Sequence, residues 1–156
     1  MSDESGVTPL TQTQLFGHAD VLRTWQAAVA QDKLHHGMLL TGAQGAGKAT
    51  LALHFLKWLF KQRSPHPQII EKQIVAGAYP GLKIIERLFD EKRQRYAGEI
   101  TLEAVAPIFD FLRLSSIDGG YRAVVIDGAD RMNRNAQNTI LKLLEEPPHR
   151  TLFVLL

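Results

Sequence analysis

Leu39-Leu40-Thr41-Gly42-Ala43-Gln44-Gly45-Ala46-Gly47-Lys48-Ala49-Thr50 is the stretch whose reading decides the fold. Met38 to Leu40 is a short apolar run of the kind that forms a buried strand. It leads into Gly42-x-x-x-x-Gly47-Lys48, and a strongly apolar helical pattern follows from Leu51. A strand, a glycine loop, a lysine and a helix in that order form the context of a phosphate-binding P-loop. Glycine at Gly42, Gly45 and Gly47 lets the backbone turn tightly and approach phosphate oxygens. The N–H groups of the loop and the positive end of the next helix supply an anion site. Lys48 is placed to reach the β and γ phosphates.

The motif departs from its full form at one position. It asks for Ser or Thr directly after the lysine, to put a hydroxyl on Mg²⁺, and that residue is Ala49. Thr50 follows one residue later, about 100° further round a helix, so it is no simple substitute. Two readings remain beside an intact site: a P-loop fold with a weakened nucleotide site, and a glycine-rich turn without a ligand.

Working outward, residues 1–14 are polar and aperiodic and predict a loose leader. Leu15-Phe16-Gly17-His18 opens a helix with Val21, Leu22, Trp25, Ala28 and Val29 on one face, ended by His35-His36-Gly37. Leu51 to Phe60 is apolar almost all round and predicts a buried helix, with Lys57, Lys61 and Arg63 in its last turns. Ser64-Pro65-His66-Pro67 stops it. Residues 64–81 resemble a linker that can hold a short helix over Gln68–Ala76. Leu82 to Arg87 predicts a strand. Asp90-Glu91-Lys92-Arg93-Gln94-Arg95-Tyr96 is a charged excursion, read in preference as a solvated loop and in the sharper alternative as a nucleic-acid or partner contact. Thr101 caps a helix carrying Val105, Ile108, Phe109, Leu112 and Leu114, and Ser115 to Gly120 is a turn.

Tyr121 to Asp127 is the strongest strand, apolar on both faces as a central parallel strand should be. Asp127 at its end stands where a P-loop protein holds its Mg²⁺. Asn133 caps a helix from Arg134 to about Glu146 that buries Ile140, Leu141 and Leu144, Pro147-Pro148 stops it, and residues 151–156 form a last strand. Helices alternate with strands, which predicts an α/β fold with a mostly parallel sheet covered on both faces.

The 156 residues suffice for one domain with a real core. A net charge of +2 is too small to argue for nucleic acid by itself. There is no cysteine, which excludes disulfides and a thiolate zinc site. The acidic start Met1-Ser2-Asp3-Glu4-Ser5 is unlike a signal peptide, no apolar stretch approaches a membrane span, and a cytoplasmic protein is the default expectation. The adjacent His35 and His36 lack companions in sequence and are not read as metal ligands. A chain rarely ends in a core strand, so the expectation is the front part of a longer protein.

Residues 39–51, 121–130 and above all Asn133-Arg134-Asn135-Ala136-Gln137-Asn138-Thr139-Ile140-Leu141-Lys142-Leu143-Leu144-Glu145-Glu146-Pro147-Pro148 resemble the clamp-loader branch of the AAA+ P-loop ATPases. The resemblance covers about residues 15–156 and implies a RecA-like three-layer α/β/α domain, truncated before the end of the module. Within the branch the chain is similar to the delta prime family of bacterial DNA polymerase III subunits rather than to gamma/tau. Ala49 replaces the Walker A hydroxyl, Gly128 follows the Walker B Asp127 where a gamma/tau subunit has an acidic pair, and the cysteine zinc module is missing.

The resemblance implies a catalytically silent module in a hetero-oligomer with gamma/tau and delta subunits, serving the sliding clamp and primed DNA indirectly. The degenerate nucleotide site would comprise Gly42, Gly45, Gly47, Lys48, Thr50 and Asp127, with no catalytic residue and no metal ligand. No cofactor is required; the loop can hold ATP, ADP, phosphate or sulfate, and zinc is not expected. In AAA+ enzymes the residue after the Walker B aspartate is usually a glutamate acting on the attacking water, and losing a general base costs about 10²- to 10⁴-fold. The arginine finger, sensors, lid and collar domain of the family would lie beyond Leu156. The alternative is an ATP-hydrolysing motor of the gamma/tau kind or another active P-loop NTPase. Direct DNA binding has only Lys92–Arg95 in its favour.

Overall fold

The computed structural model describes residues 8–62, 64–114 and 119–156. The first seven residues of the expected leader, Arg63 of the expected helix end and residues 115–118 of the expected turn lie outside the described residues. The chain divides into two units, Met1–Leu34 with Gly42–Tyr79 and His35–Thr41 with Pro80–Leu156.

The second unit carries the sheet. Gly37–Leu39 (β1), Leu82–Ile85 (β2), Arg122–Ile126 (β5) and Thr151–Leu155 (β6) stand in the order β1-β6-β5-β2, with every pairing parallel. The register sets Val124 against Phe153 and Ile84 against Val125. Val124, Ile126 and Phe153 pack with Ile85, Ile100, Val105, Ile108, Met132, Ala136 and Ile140 into one core. The alternate residues Ala123, Val125, Leu152 and Val154 are buried too. Burial on both faces is why β5 and β6 read as continuous apolar runs rather than alternating ones, whereas β1, read from its apolar run as a buried strand, leaves Leu39 68% exposed. The last strand is not an edge: β6 lies between β1 and β5.

Two helices of this unit differ from their sequence reading. The helix opened by Thr101 is two pieces, Leu102–Val105 (α4) and Pro107–Arg113 (α5). Pro107 has no N–H to continue the ladder, so the first piece stops before it. Of the apolar residues expected on this helix, Val105 and Ile108 are buried, whereas Phe109 and Leu114 are exposed. Arg134–Glu145 (α6) starts at Asn133, whose side chain accepts the Ala136 N–H at 3.0 Å, a cap worth about 1 kcal/mol. It buries Ile140 as expected, but Leu141 is 54% exposed, and Leu143 packs on the core together with Leu144. The charged excursion is a hairpin of Phe89–Asp90 (β3) and Arg95–Tyr96 (β4).

Arg122 organises the carboxyl end of α5. Its buried guanidinium donates through Nη1 to the carbonyls of Leu112 at 2.8 Å and Phe111 at 3.4 Å, and also to that of Leu114. Terminal carbonyls of a helix lack internal donors, and a cation there also suits the dipole.

The first unit is helical. Ala19–Ala30 (α1), Lys48–Lys61 (α2) and Pro67–Val75 (α3) are its elements. α1 ends earlier than His35-His36-Gly37 suggested. Asp32 takes a left-handed φ of 55°, Asp32 N–H donates to Val29 at 3.1 Å and Lys33 N–H to Ala28 at 2.8 Å. That is a Schellman closure with aspartate where glycine is usual. Gly37 serves β1 instead, and a Cβ there would meet Leu144 Cδ2 at 3.3 Å. α2 is buried through Leu51, Ala52, Leu53, Phe55, Leu56, Leu59 and Phe60, with Phe55 against Trp25 at 5.1 Å between ring centroids. Residues 8–12 form a turn, and Lys57 Nζ donates to Leu10 O at 2.6 Å while His54 Nε2 donates to Gln12 O at 3.1 Å.

Candidate functional site

The glycine loop lies in the first unit. Gly42, Gly45 and Gly47 have φ of +151°, +81° and +80°, values that L side chains rarely adopt. A sequence with Cβ atoms at these positions would not close the same turn at low cost. Gly47 is the N-cap of α2, so Lys48, Ala49 and Thr50 form its first turn. Their N–H groups have no acceptor within the helix.

Lys48 bends back over the loop. Its Nζ donates to Gly42 O at 2.8 Å and to Ala43 O at 2.9 Å. Ala43 O also accepts the Ala46 N–H at 3.2 Å. The ammonium therefore sits above the loop backbone, where anion oxygens would be received. His18 braces the same loop. It caps α1 in a left-handed conformation, φ 58°, directly after Gly17 at φ 72°. The pair of left-handed residues sets its ring Nε2 3.0 Å from Ala46 O, and because a carbonyl only accepts, Nε2 carries the hydrogen. Sequence reading missed this contact. The Gly-His pair before the helix was its one trace.

The loop fits a phosphate group: its N–H groups, the amino end of α2 and Lys48 offer only positive charge and donors. It fits the metal of a full motif less well. Ala49 has no oxygen, and Thr50 is the next residue along the helix. When bound, a nucleotide would supply the phosphate charge that Lys48 answers; Gly42, Gly45, Gly47 and Lys48 would hold it.

Asp127 belongs to the second unit. It follows β5 with its side chain exposed and its backbone N–H bonded to Ile85 O at 2.8 Å. Gly128 is left-handed at φ 91°, and its N–H and that of Ala129 donate to Leu156 O at 3.2 and 2.8 Å. The turn that follows β5 is thus built for glycine, which gives Gly128 a backbone role in addition to the absence of a carboxylate.

Two further features bear on metals. His36 donates from Nε2 to Leu144 O at 2.9 Å and so closes the end of α6. Among the described residues no three His, Asp or Glu side chains converge as a metal site. Among them, too, no helix is long and apolar enough to cross a membrane.

Known proteins resemble this chain along most of its length. It is 28% identical over 149 residues to "Replication factor C subunit 5" of Mus musculus, covering 95% of this chain and 38% of that protein. It is 31% identical over 146 residues to "DNA polymerase III subunit gamma" of Buchnera aphidicola, covering 90% and 38%. It is 29% identical over 137 residues to "DNA polymerase III subunit delta'" of Pseudomonas aeruginosa, covering 85% and 40%. The chain therefore spans about two-fifths of the length of the curated relatives it matches. A solved structure of a gamma subunit-related protein of DNA polymerase III from Thermotoga maritima superposes with a TM-score of 0.59 at 21% identity, over 86% of this chain and 38% of that one. That likeness shows the α/β fold with a mostly parallel sheet that the sequence predicts. The family model described as "DNA polymerase III, delta subunit" matches residues 17–156, and the chain belongs to that family.

Proposed function

We propose that this chain is the P-loop part of a clamp-loader subunit in DNA replication, and that it assembles with neighbours that hydrolyse ATP without turning over nucleotide itself. Membership of the polymerase III family supports the role. Gamma/tau and delta subunits are the partners this reading names, in a cytoplasmic hetero-oligomer that acts on a sliding clamp at primed DNA. The observation that carries the silence is Gly128. It follows Asp127 with no side chain, in a left-handed turn that a carboxylate residue would enter only under strain. Ala49 argues the same way, because the loop offers Mg²⁺ no hydroxyl at the motif position.

Equilibrium binding of a fluorescent ATP analogue, with and without Mg²⁺, tests this beside a phosphate-release assay. Weak binding indifferent to Mg²⁺ and free of turnover is the expected result. Tight Mg²⁺-dependent binding with turnover that Lys48→Ala abolishes would establish the motor instead. The positive-φ glycines and the placement of Lys48 are what favour that second reading.

A further inference from the structure

The excursion at residues 87–97 has a defined local structure. Phe89 pairs with Tyr96 and Asp90 with Arg95 in a two-stranded ribbon separate from the main sheet. Such a ribbon is marginal in water by itself, and short-range polar bonds hold this one. Asp90 Oδ1 accepts the Lys92 and Arg93 N–H groups at 3.0 and 3.1 Å. Gln94 is left-handed at φ 49°, and its side chain donates to Glu91 O at 2.8 Å. Ala97 N–H closes the base on Leu88 O at 2.7 Å.

The strand period of two sets Arg87, Phe89 and Tyr96 on one face. The two rings meet edge to face with centroids 5.1 Å apart, and the Arg87 guanidinium carbon lies 5.7 Å from the Tyr96 centroid. Phe89 and Tyr96 nevertheless stay 47% and 57% exposed. From Glu86 to Tyr96 the chain carries four cations, Arg87, Lys92, Arg93 and Arg95, against three carboxylates, Glu86, Asp90 and Glu91. Asp90 is committed to the turn and to Arg93, whose Nε lies 3.7 Å away. Among the described residues Lys92 and Arg95 form no ion pair.

Exposed aromatic rings on a hairpin with Lys92 and Arg93 at its turn match what a single strand presents: base faces to stack and phosphates to neutralise. Duplex DNA presents the phosphates but keeps its base faces inside the stack. We propose that the β3–β4 hairpin binds single-stranded nucleic acid, with a base stacked on the Phe89–Tyr96 pair and neighbouring phosphates on Lys92 and Arg93 at the turn, while Arg95, paired with Asp90, lies on the other face. This contact is independent of the glycine loop and of any nucleotide there.

Fluorescence anisotropy of the full chain with a labelled oligothymidylate of roughly 12 nucleotides, within the usual site size of such modules, is the test. With about two phosphates neutralised, the logarithm of affinity should fall with that of salt at a slope of about −1.4. Tyr96→Ala should weaken binding about fivefold or more, and Tyr96→Phe should restore it. The pair Lys92→Glu and Arg93→Glu should lower affinity further and flatten the salt slope, and Arg95→Glu, on the other face, should do so less. Circular dichroism melts of each variant separate lost binding from lost folding. Binding that is unmoved by Tyr96→Ala, or equally tight to a blunt duplex, overturns the proposal, as does no binding at low salt. Concentration-dependent self-association in sedimentation, abolished by Tyr96→Ala in a chain that ignores the oligomer, would make the hairpin a protein contact and would also overturn it.

Discussion

Lys48 Nζ lies 2.8 Å from the carbonyl oxygen of Gly42, six residues earlier, so the ammonium is clipped to the loop that it would share with a phosphate. An anion that enters the loop gains a cation already positioned, with little side-chain entropy left to lose. Pyrophosphate is expected to raise the melting temperature of the wild-type chain by mass action. Lys48→Ala should remove that shift. A shift that survives in the variant would place the anion elsewhere.

Ala49 and Gly128, the two departures from the full motif, lie in different units and can be tested separately. Ala49→Thr restores a hydroxyl at the motif position and is expected to make binding of an ATP analogue respond to Mg²⁺. It should not produce phosphate release, because Gly128 still offers no base. Fluorescence titration beside a phosphate-release assay reads both outcomes.

Gly128→Glu is expected to fail as a repair. The left-handed φ of 91° opposes any Cβ there, at a cost of about 1–2 kcal/mol. Gly98→Ala is the control, since nothing lies within 4 Å of a Cβ at Gly98 and its φ is not in the left-handed range. Urea midpoints should fall clearly for Gly128→Glu and Gly128→Ala and stay nearly constant for Gly98→Ala.

Arg122→Met keeps most of the apolar stem and deletes the donor that serves Leu112 and Phe111. Orphaned carbonyls in a partly buried setting cost about 1–3 kcal/mol. Arg113→Met, at the exposed end of the same helix, should stay within about 0.5 kcal/mol. Equal urea midpoints for the two variants would remove Arg122 from the account of α5.

Glu71 titrates below the ordinary carboxylate range because Lys61 hydrogen-bonds its ionised form, with further attraction from Lys61, Lys57 and His54. A depressed folded-state pKa contributes stability that is complete above the unfolded value of about 4.5 and is lost as pH falls through the folded value. Solvent screens this pair, which limits it to about 0.2–1 kcal/mol. Glu71→Gln should flatten the acid limb of the stability curve by that amount. Lys57 is shifted down chiefly by desolvation, with Glu71 opposing, so its effect lies on the alkaline side, where stability rises with pH between its folded and unfolded values.

Much of this architecture was legible because its signals are local. The apolar runs at Ala123–Ile126 and Leu152–Leu155 announce central strands, since burial on both faces removes any alternation. Asn133 announces the start of α6, because a cap needs only the residues it serves. Where the signal depends on distant atoms the reading slipped. Asp32 replaced the expected glycine as the closure of α1. Leu141 looked like core by its chemistry and is exposed, because the face that α6 buries is set by the sheet beneath it.

The candidate site divides the same way. Sequence by itself determined that Gly42, Gly45, Gly47 and Lys48 form a glycine loop at the head of a helix, that Ala49 withholds a hydroxyl and that Gly128 withholds a carboxylate. These are statements of composition at fixed spacing, and spacing along a chain is local. The tertiary structure alone decided that His18 holds the Ala46 carbonyl, that Lys48 folds onto Gly42 and Ala43, that Arg122 closes α5, and that Gly128 turns left-handed beneath Leu156. Each of these depends on a backbone carbonyl becoming available at one point in space. Carbonyls are identical in every residue, so only the folded path of the chain determines which of them a side chain meets.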